Sequence, residues 1–533
     1  MTWLLELMLG NHVARETSKY LGRLTKASEK AARVKTNQLL NSFEHSQEAK
    51  VRLGTTEWQA SVDVPPLELL RAHGLVTGGT GAGKSMFGLL IIKHLIEQAS
   101  EKCGFGVLDA KGELFLGTLW LLKERLEELA RTNPQAARAL RRRIVICDFS
   151  SRDPVSPYNI LARGSASDPE FFALSRADLI MDLLASDKLS LSGVGVLQRL
   201  LMLLSEFSVP VTSVPEVIRD QALRRRLVMQ SKNRDLVQYF AHQFDLVPKS
   251  TLAAIDRRME ALTASESVRL ALNGTTAPDF RQIQDNSQIV LVNCFGENIA
   301  RSVRRLLQGL ALSDIRQGVF ARRQKDRPFL WFCDEAQNFF VSERLQDNMS
   351  DLLTMSRSFG SFFLYLTQNM TTAVGDTRLL KVLYTNIRWA YCMRGDPADC
   401  EFLAPALPAT GRKLKPRTSP FEERTVYPLR EERRLLLDEI GHLPDRVGYL
   451  WFKSRATDAI KLATAELVMP HAGELELAVQ AIRRDATVGW RTSRKGYERQ
   501  IAERNQHWQE QPALDLTQSL AETYRQTRGG RGQ

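Results

Sequence analysis

The sequence predicts an α/β fold, a mainly parallel central sheet with an inserted all-α domain, and three observations lead to it. Short, continuously apolar runs alternate with longer amphipathic segments from about residue 67 onward. The runs lapse between about 163 and 285, where helical periodicity takes over, and then resume. The first run leads into a glycine-rich loop that opens a helix. Runs that are apolar without alternation suit strands buried on both faces, as in a parallel sheet covered by helices on either side.

Taken in order, residues 1–66 form an accessory segment. It has a polar, Lys-rich helical stretch from Thr17 to Leu40 and a strand-like patch from Val51 to Val64, closed by Pro65-Pro66. The opening apolar residues carry Glu6 and lack a cationic leader, so they read as an amphipathic helix rather than a signal peptide. Residues 67–162 form the first part of the α/β domain, with runs at 74–78, 105–110 and 143–149. Residues 163–285 form the all-α insertion, exemplified by ADLIMDLLASDKLSL and VLQRLLMLLSEF. Residues 286–470 return to strands, at about 287–295, 329–335, 362–368, 387–393 and 447–453. Residues 471–533 form a polar helical tail ending in Arg528-Gly529-Gly530-Arg531-Gly532, an end expected to be disordered.

Composition excludes several classes. The 533 residues are 43% hydrophobic and 25% charged, which is globular and not low-complexity. No uncharged apolar run approaches the roughly 18 residues needed to cross a bilayer. The six cysteines sit singly with no CxxC pair, which argues against a zinc site or a disulfide framework and for a cytoplasmic location. With 73 Lys and Arg against 61 Asp and Glu, the net charge of +12 favours polyanions such as nucleic acid or an anionic membrane surface.

Three motifs carry chemistry. Gly78-Gly79-Thr80-Gly81-Ala82-Gly83-Lys84-Ser85 fits GxxxxGK[ST] between an apolar strand and a helix beginning near Met86, the setting a phosphate-binding P-loop requires. Its backbone N–H groups would cradle the phosphates of ATP, Lys84 would reach the β- and γ-phosphates, and Ser85 would hold Mg²⁺. FLWFC ends in Asp334-Glu335, the form of a Walker B strand: Asp334 would join the Mg²⁺ shell and Glu335 would polarise the attacking water. The adjacent Glu argues against a kinase or a GTPase. FFLYLT ends in Gln368, placed to sense the γ-phosphate and position the water.

HGLVTGGTGAGKS, VLDAKGEL, FCDEAQNF, SRSFG and YLTQN, in that order, resemble the HerA/FtsK superfamily of hexameric DNA-pumping ATPases, and within it the TraG/TraD-like coupling proteins of conjugation and type IV secretion. The resemblance covers about 67–162 and 286–455. Asp109-Ala110-Lys111-Gly112-Glu113 is similar to the family's DPKGE-type turn, and Tyr158-Asn159-Ile160-Leu161 to its YNPL-like element, each without the proline. The resemblance implies a RecA-like P-loop ATPase domain, a homo-hexamer, DNA as cargo, and a relaxase or secretion-channel proteins as partners. It also implies that Arg357, in Met-Ser-Arg-Ser-Phe-Gly, is an arginine finger for a neighbour's site, and that the Asp109–Glu113 turn links nucleotide state to the ring interface. The family's amino-terminal transmembrane helices have no counterpart here, so the expected location is cytoplasmic, peripheral to the inner membrane through a partner.

The DNA-contact candidates are Arg412, Lys413, Lys415 and Arg417, in a stretch whose Gly411 and Pro416 mark a loop. The arginine triplets at 141–143 and 224–226 are weaker candidates. No zinc finger, RNP pattern or recognition helix is evident, so contacts would fall on phosphates, without sequence preference. Three readings stay open: a DNA translocase, in transfer or in defence against foreign DNA; the same motor acting on protein cargo; and an ATP-gated docking adaptor that binds nucleotide without turnover.

Overall fold

The structure, a computed structural model, describes residues 26, 29–44, 49–98, 103–162, 169–184, 191–374, 377–413, 415, 425–455, 458–485 and 490–510. Among them eleven strands follow in chain order: β1 (Val51–Thr56), β2 (Ser61–Val64), β3 (His73–Thr77), β4 (Gly104–Asp109), β5 (Ile144–Asp148), β6 (Ile289–Asn293), β7 (Phe329–Cys333), β8 (Ser361–Thr367), β9 (Ile387–Met393), β10 (Val447–Phe452) and β11 (Ile460–Thr464). The chain divides into two compact units, one comprising Met1–His94 and Phe363–Val468, the other Leu95–Phe362 and Met469–Gln533.

In the first unit the strand order is β2-β1-β11-β10-β9-β3-β8. β3 lies parallel between β8 and β9, with Val76 opposite Leu366 on one side and Tyr391 on the other. All five residues of β3 are buried, as its continuously apolar run predicts. Beyond β9 the pairing turns antiparallel: β10 runs against β9 and β11, and β1 against β11 and β2. The sheet is therefore mixed. The apolar run of β10 reads like a parallel strand because it too is covered on both faces, with only Val447 and Trp451 partly exposed. Trp389 of β9 lies over Gly74 of β3 so closely that a Cβ at Gly74 would sit 2.3 Å from its ring.

The second unit holds β7-β4-β6-β5, all parallel and all buried. Here too a glycine makes room for a tryptophan: Gly106 of β4 is registered opposite Trp331 of β7, and a Cβ there would come within 2.2 Å of the indole. Each ring is fully buried, and covering about 150–250 Å² contributes about 4 to 6 kcal/mol of apolar transfer. Between β5 and β6 the described residues contain helices and no strand, from Pro169–Leu184 to Phe280–Asp285. That is the all-α insertion expected from the lapse of apolar runs. It is tied to the α/β part through Asp314, on the helix Arg301–Phe320, which accepts from Tyr158 Oη at 2.8 Å and pairs with the fully buried Arg176. The helix Arg494–Glu510 packs on the insertion, with Tyr497 Oη donating to Leu270 O at 2.6 Å and Arg504 to Asn273 O at 2.8 Å. Residues 511–533, with the RGGRG end, lie outside the described residues, as does most of the expected helix before residue 29.

No helix of the described residues is long and apolar enough to cross a membrane.

Candidate active site

In open α/β sheets the carboxyl ends of parallel strands form the ligand crevice. In the first unit the loop leaving β3 is the P-loop. Gly81 and Gly83 take φ of +76° and +106°, left-handed backbone that glycine adopts without penalty. At Gly83 the space is short as well, since a Cβ would lie 3.1 Å from both Arg446 Cγ and Met393 Cε. Neighbouring backbone braces the loop: Gly79 N–H donates to Arg394 O at 2.6 Å and Arg446 N–H to Ala82 O at 2.9 Å. Lys84 begins the helix Lys84–Gln98, is buried, and donates from Nζ to Gly78 O at 2.8 Å and Gly79 O at 2.9 Å. Ser85 and Met86 follow in the first turn, where backbone N–H groups have no intrahelical acceptor and the helix dipole favours an anion.

Gln368, immediately after β8, meets this loop: Thr80 Oγ1 donates to Gln368 Oε1 at 3.1 Å. His73, at the start of β3, is buried and accepts the Phe363 backbone N–H on Nδ1 at 3.1 Å, a structural role.

In the second unit the carboxyl ends of the strands carry Asp109, Asp148, Asn293 and, just past β7, Asp334. Their surroundings separate structural acids from chemically available ones. Asp148 is clamped by Arg483 Nε at 2.8 Å and Asn293 Nδ2 at 2.9 Å. Asp109 accepts from the backbone N–H groups of Lys111, Gly112 and Phe115 at 2.7, 2.9 and 2.8 Å. It thereby folds the DAKGE turn, with Gly112 at φ +88°, onto the start of the helix Glu113–Thr132. Asp334 is different. It is 2% exposed, and its Oδ2 has no hydrogen-bond partner. Burial pushes its carboxyl well above the usual carboxylate range, with the charges of Asp109 and Glu335 adding to the shift. A buried carboxylate with an orphaned oxygen and like charges beside it fits a cation, and Mg²⁺ bound through one or two protein oxygens together with phosphates matches that donor. Gln308, from the helix Arg301–Phe320, fixes the turn that follows β7 by donating to Asp334 O at 3.0 Å and accepting from Asn338 Nδ2 at 3.1 Å.

Glu335 takes φ 51° and ψ 44°, a left-handed conformation that costs a non-glycine residue roughly 1–2 kcal/mol. Its Oε1 forms an ion pair with Lys111 Nζ and its Oε2 accepts from Gln337 Nε2. Burial alone would lower the Lys111 ammonium, but the hydrogen bond and charge of Glu335, with Asp334 and Glu113 behind it, raise it overall. Lys111 stood out in the sequence as part of a nucleotide-sensing turn; the structure sets it directly on Glu335. Sequence reasoning missed Gln308 and Gln337, polar residues whose spacing carries no signal.

Arg357 lies in the short 3₁₀ turn Ser356–Phe359, half-buried, ahead of Gly360 at φ +70°. Among the basic candidates, Lys415 pairs with Glu431 at 2.9 Å and lies over the Tyr427 ring, while Lys413 O accepts from Tyr427 N–H at 2.8 Å. Arg412 and Lys413 are exposed, and Arg417 lies outside the described residues. Arg143 donates to the carbonyls of Ser287 and Cys103, and Arg224 to those of Val217 and Ile218 while stacking on Phe244, so both serve packing.

Strand order, P-loop and inserted helices define the class: a RecA-like P-loop ATPase fold with an α domain. Solved structures similar to it include conjugative coupling proteins and a VirB4. The bacterial conjugative coupling protein TrwBdeltaN70, in its unbound form, has 15% identity and a TM-score of 0.51, the match covering 82% of this chain and 93% of that one. The plasmid coupling protein TrwB in complex with ADP and Mg²⁺ has 14% identity and a TM-score of 0.50, covering 82% and 94%. VirB4 of Thermoanaerobacter pseudethanolicus has 13% identity and a TM-score of 0.50, covering 79% and 98%. At such identities the likeness establishes the fold. No protein-family model matches the sequence, and no curated protein does.

Proposed function

We propose that this chain is an ATP-hydrolysing motor of conjugative DNA transfer or type IV secretion, working as a homo-hexameric ring that moves DNA. The observation that carries the reading is the braced P-loop with Lys84 at its helix start, in a fold shared with TrwB. Lys84 and the backbone of Gly78, Gly79, Thr80, Gly81, Ala82, Gly83, Ser85 and Met86 would bind the phosphates of ATP. Ser85 and Asp334 would hold Mg²⁺, which when bound neutralises charge on the phosphate oxygens. Glu335 would accept a proton from the water that attacks the γ-phosphorus as the bond to the bridging oxygen breaks, with Gln368 orienting that water. Arg357 would complete the site of a neighbouring copy, and Arg412, Lys413, Lys415 and Arg417 would grip DNA phosphates. The ring would work in the cytoplasm, held at the inner membrane by a partner such as a secretion-channel protein, with a relaxase as a further partner.

The test is steady-state ATP hydrolysis with and without single- and double-stranded DNA at two salt concentrations. DNA should stimulate the rate, and the stimulation should fall steeply from 50 to 200 mM salt, because phosphate contacts release counterions. A second reading keeps the motor and changes its cargo to protein. The internal commitments of Lys415, Arg143 and Arg224 favour it. Hydrolysis indifferent to both DNAs at both salts would select it.

A further inference from the structure

Glu335, the water-polarising group in the reading above, is fully engaged by its own unit. Lys111, from the turn after β4, pairs with Oε1, and Gln337, two residues along the 3₁₀ turn, donates to Oε2. The side chain of Glu335 is 13% exposed and that of Lys111 36%, so the bond lies at the rim of the site rather than in open solvent. The carboxylate that must attract a water proton is therefore occupied, because an ammonium pairs with one of its oxygens and an amide donates to the other. The backbone adds a second observation: Glu335 is held left-handed although it is not glycine, the kind of strained conformation that contacts must maintain. Lys111 is itself placed by its neighbours, because Asp109 gathers the N–H groups of Lys111 and Gly112 and fixes the turn.

We infer that Lys111 and Gln337 are positioning residues that hold Glu335 in a resting arrangement, so that turnover requires the Lys111–Glu335 bridge to open. The bridge acts as a brake on hydrolysis, set by the DAKGE turn. This inference rests on the proposed role of Glu335, and the experiment separates the two.

ATP turnover is measured on the full chain without DNA for wild type, Lys111→Ala, Lys111→Arg, Gln337→Ala and Glu335→Gln, and for the double variant Lys111→Ala with Glu335→Gln. Lys111→Ala should raise kcat about three- to tenfold with KM for ATP nearly unchanged, the gain expected from removing one half-exposed charge-assisted bond. Lys111→Arg should restore the low rate by keeping the cation, Gln337→Ala should raise kcat in the same direction, and the double variant should be as inactive as Glu335→Gln. A merely structural lysine would not yield a faster enzyme that arginine slows again. An unchanged or lower kcat in Lys111→Ala overturns the inference. If that variant does not fold, Gln337→Ala decides alone, and a rate at or below wild type overturns it. Full activity in Glu335→Gln would instead refute the proposed role of Glu335.

Discussion

Glu335→Gln is expected to abolish turnover while leaving nucleotide binding in place: ATP hydrolysis should fall roughly 10²- to 10⁴-fold, the contribution of a well-placed general base. Glutamine keeps the shape of the side chain and the contact with Gln337, so the turn after β7 and the Gln308 bonds that fix it should survive. What is lost is the negative charge. Phosphate release and equilibrium nucleotide binding measured on one preparation check this. A variant that keeps more than a tenth of the wild-type rate would show that another group activates the water.

Lys84→Ala should fail one step earlier. In the structure the ammonium closes over its own loop, donating to Gly78 O and Gly79 O. With nucleotide bound it would exchange these carbonyls for phosphate oxygens, and hydrogen bonds to charged partners contribute about 1.5–3 kcal/mol each. Two such bonds amount to about 3–6 kcal/mol, so kcat/KM should drop at least about a hundredfold. Binding should weaken in parallel, unlike in Glu335→Gln. An unchanged affinity with an unchanged rate would remove the P-loop assignment. Because the loop is braced by Arg394 and Arg446 independently of Lys84, the thermal unfolding curve should not move appreciably.

The legible part of the fold is the part where physical chemistry acts locally. The runs that became β3 to β10 are short and apolar because the strands are covered on both faces, and the lapse from 163 to 285 reads as helical because its period is that of a helix. β11 was missed because Ile460–Thr464 is only partly buried and carries Lys461, leaving no continuous apolar signal. The antiparallel arm was missed for a different reason: burial on both faces makes β10 apolar whichever way its neighbours run, so direction leaves no trace in composition.

For the candidate site, glycine spacing and strand-end acids point to the P-loop and to Asp334-Glu335. They do not separate Asp334, whose Oδ2 is orphaned, from Asp148, which ends a similar strand but is neutralised by Arg483. Arg483 is far away in the chain, and so is Lys111 from Glu335; pairings of that kind follow from topology. The basic loop shows the converse. Lys415 reads as free charge in sequence, but its ammonium is held by Glu431 and faces Tyr427.

The measurement that bears most directly on the central claim is release of inorganic phosphate from ATP by the purified full chain, with Mg²⁺ and with the metal removed by chelator. Release should require Mg²⁺, because a buried carboxylate with an orphaned oxygen calls for a cation and a P-loop for a polyphosphate that travels with one. Folded protein that releases no phosphate under either condition, or that releases it equally without the metal, would contradict it.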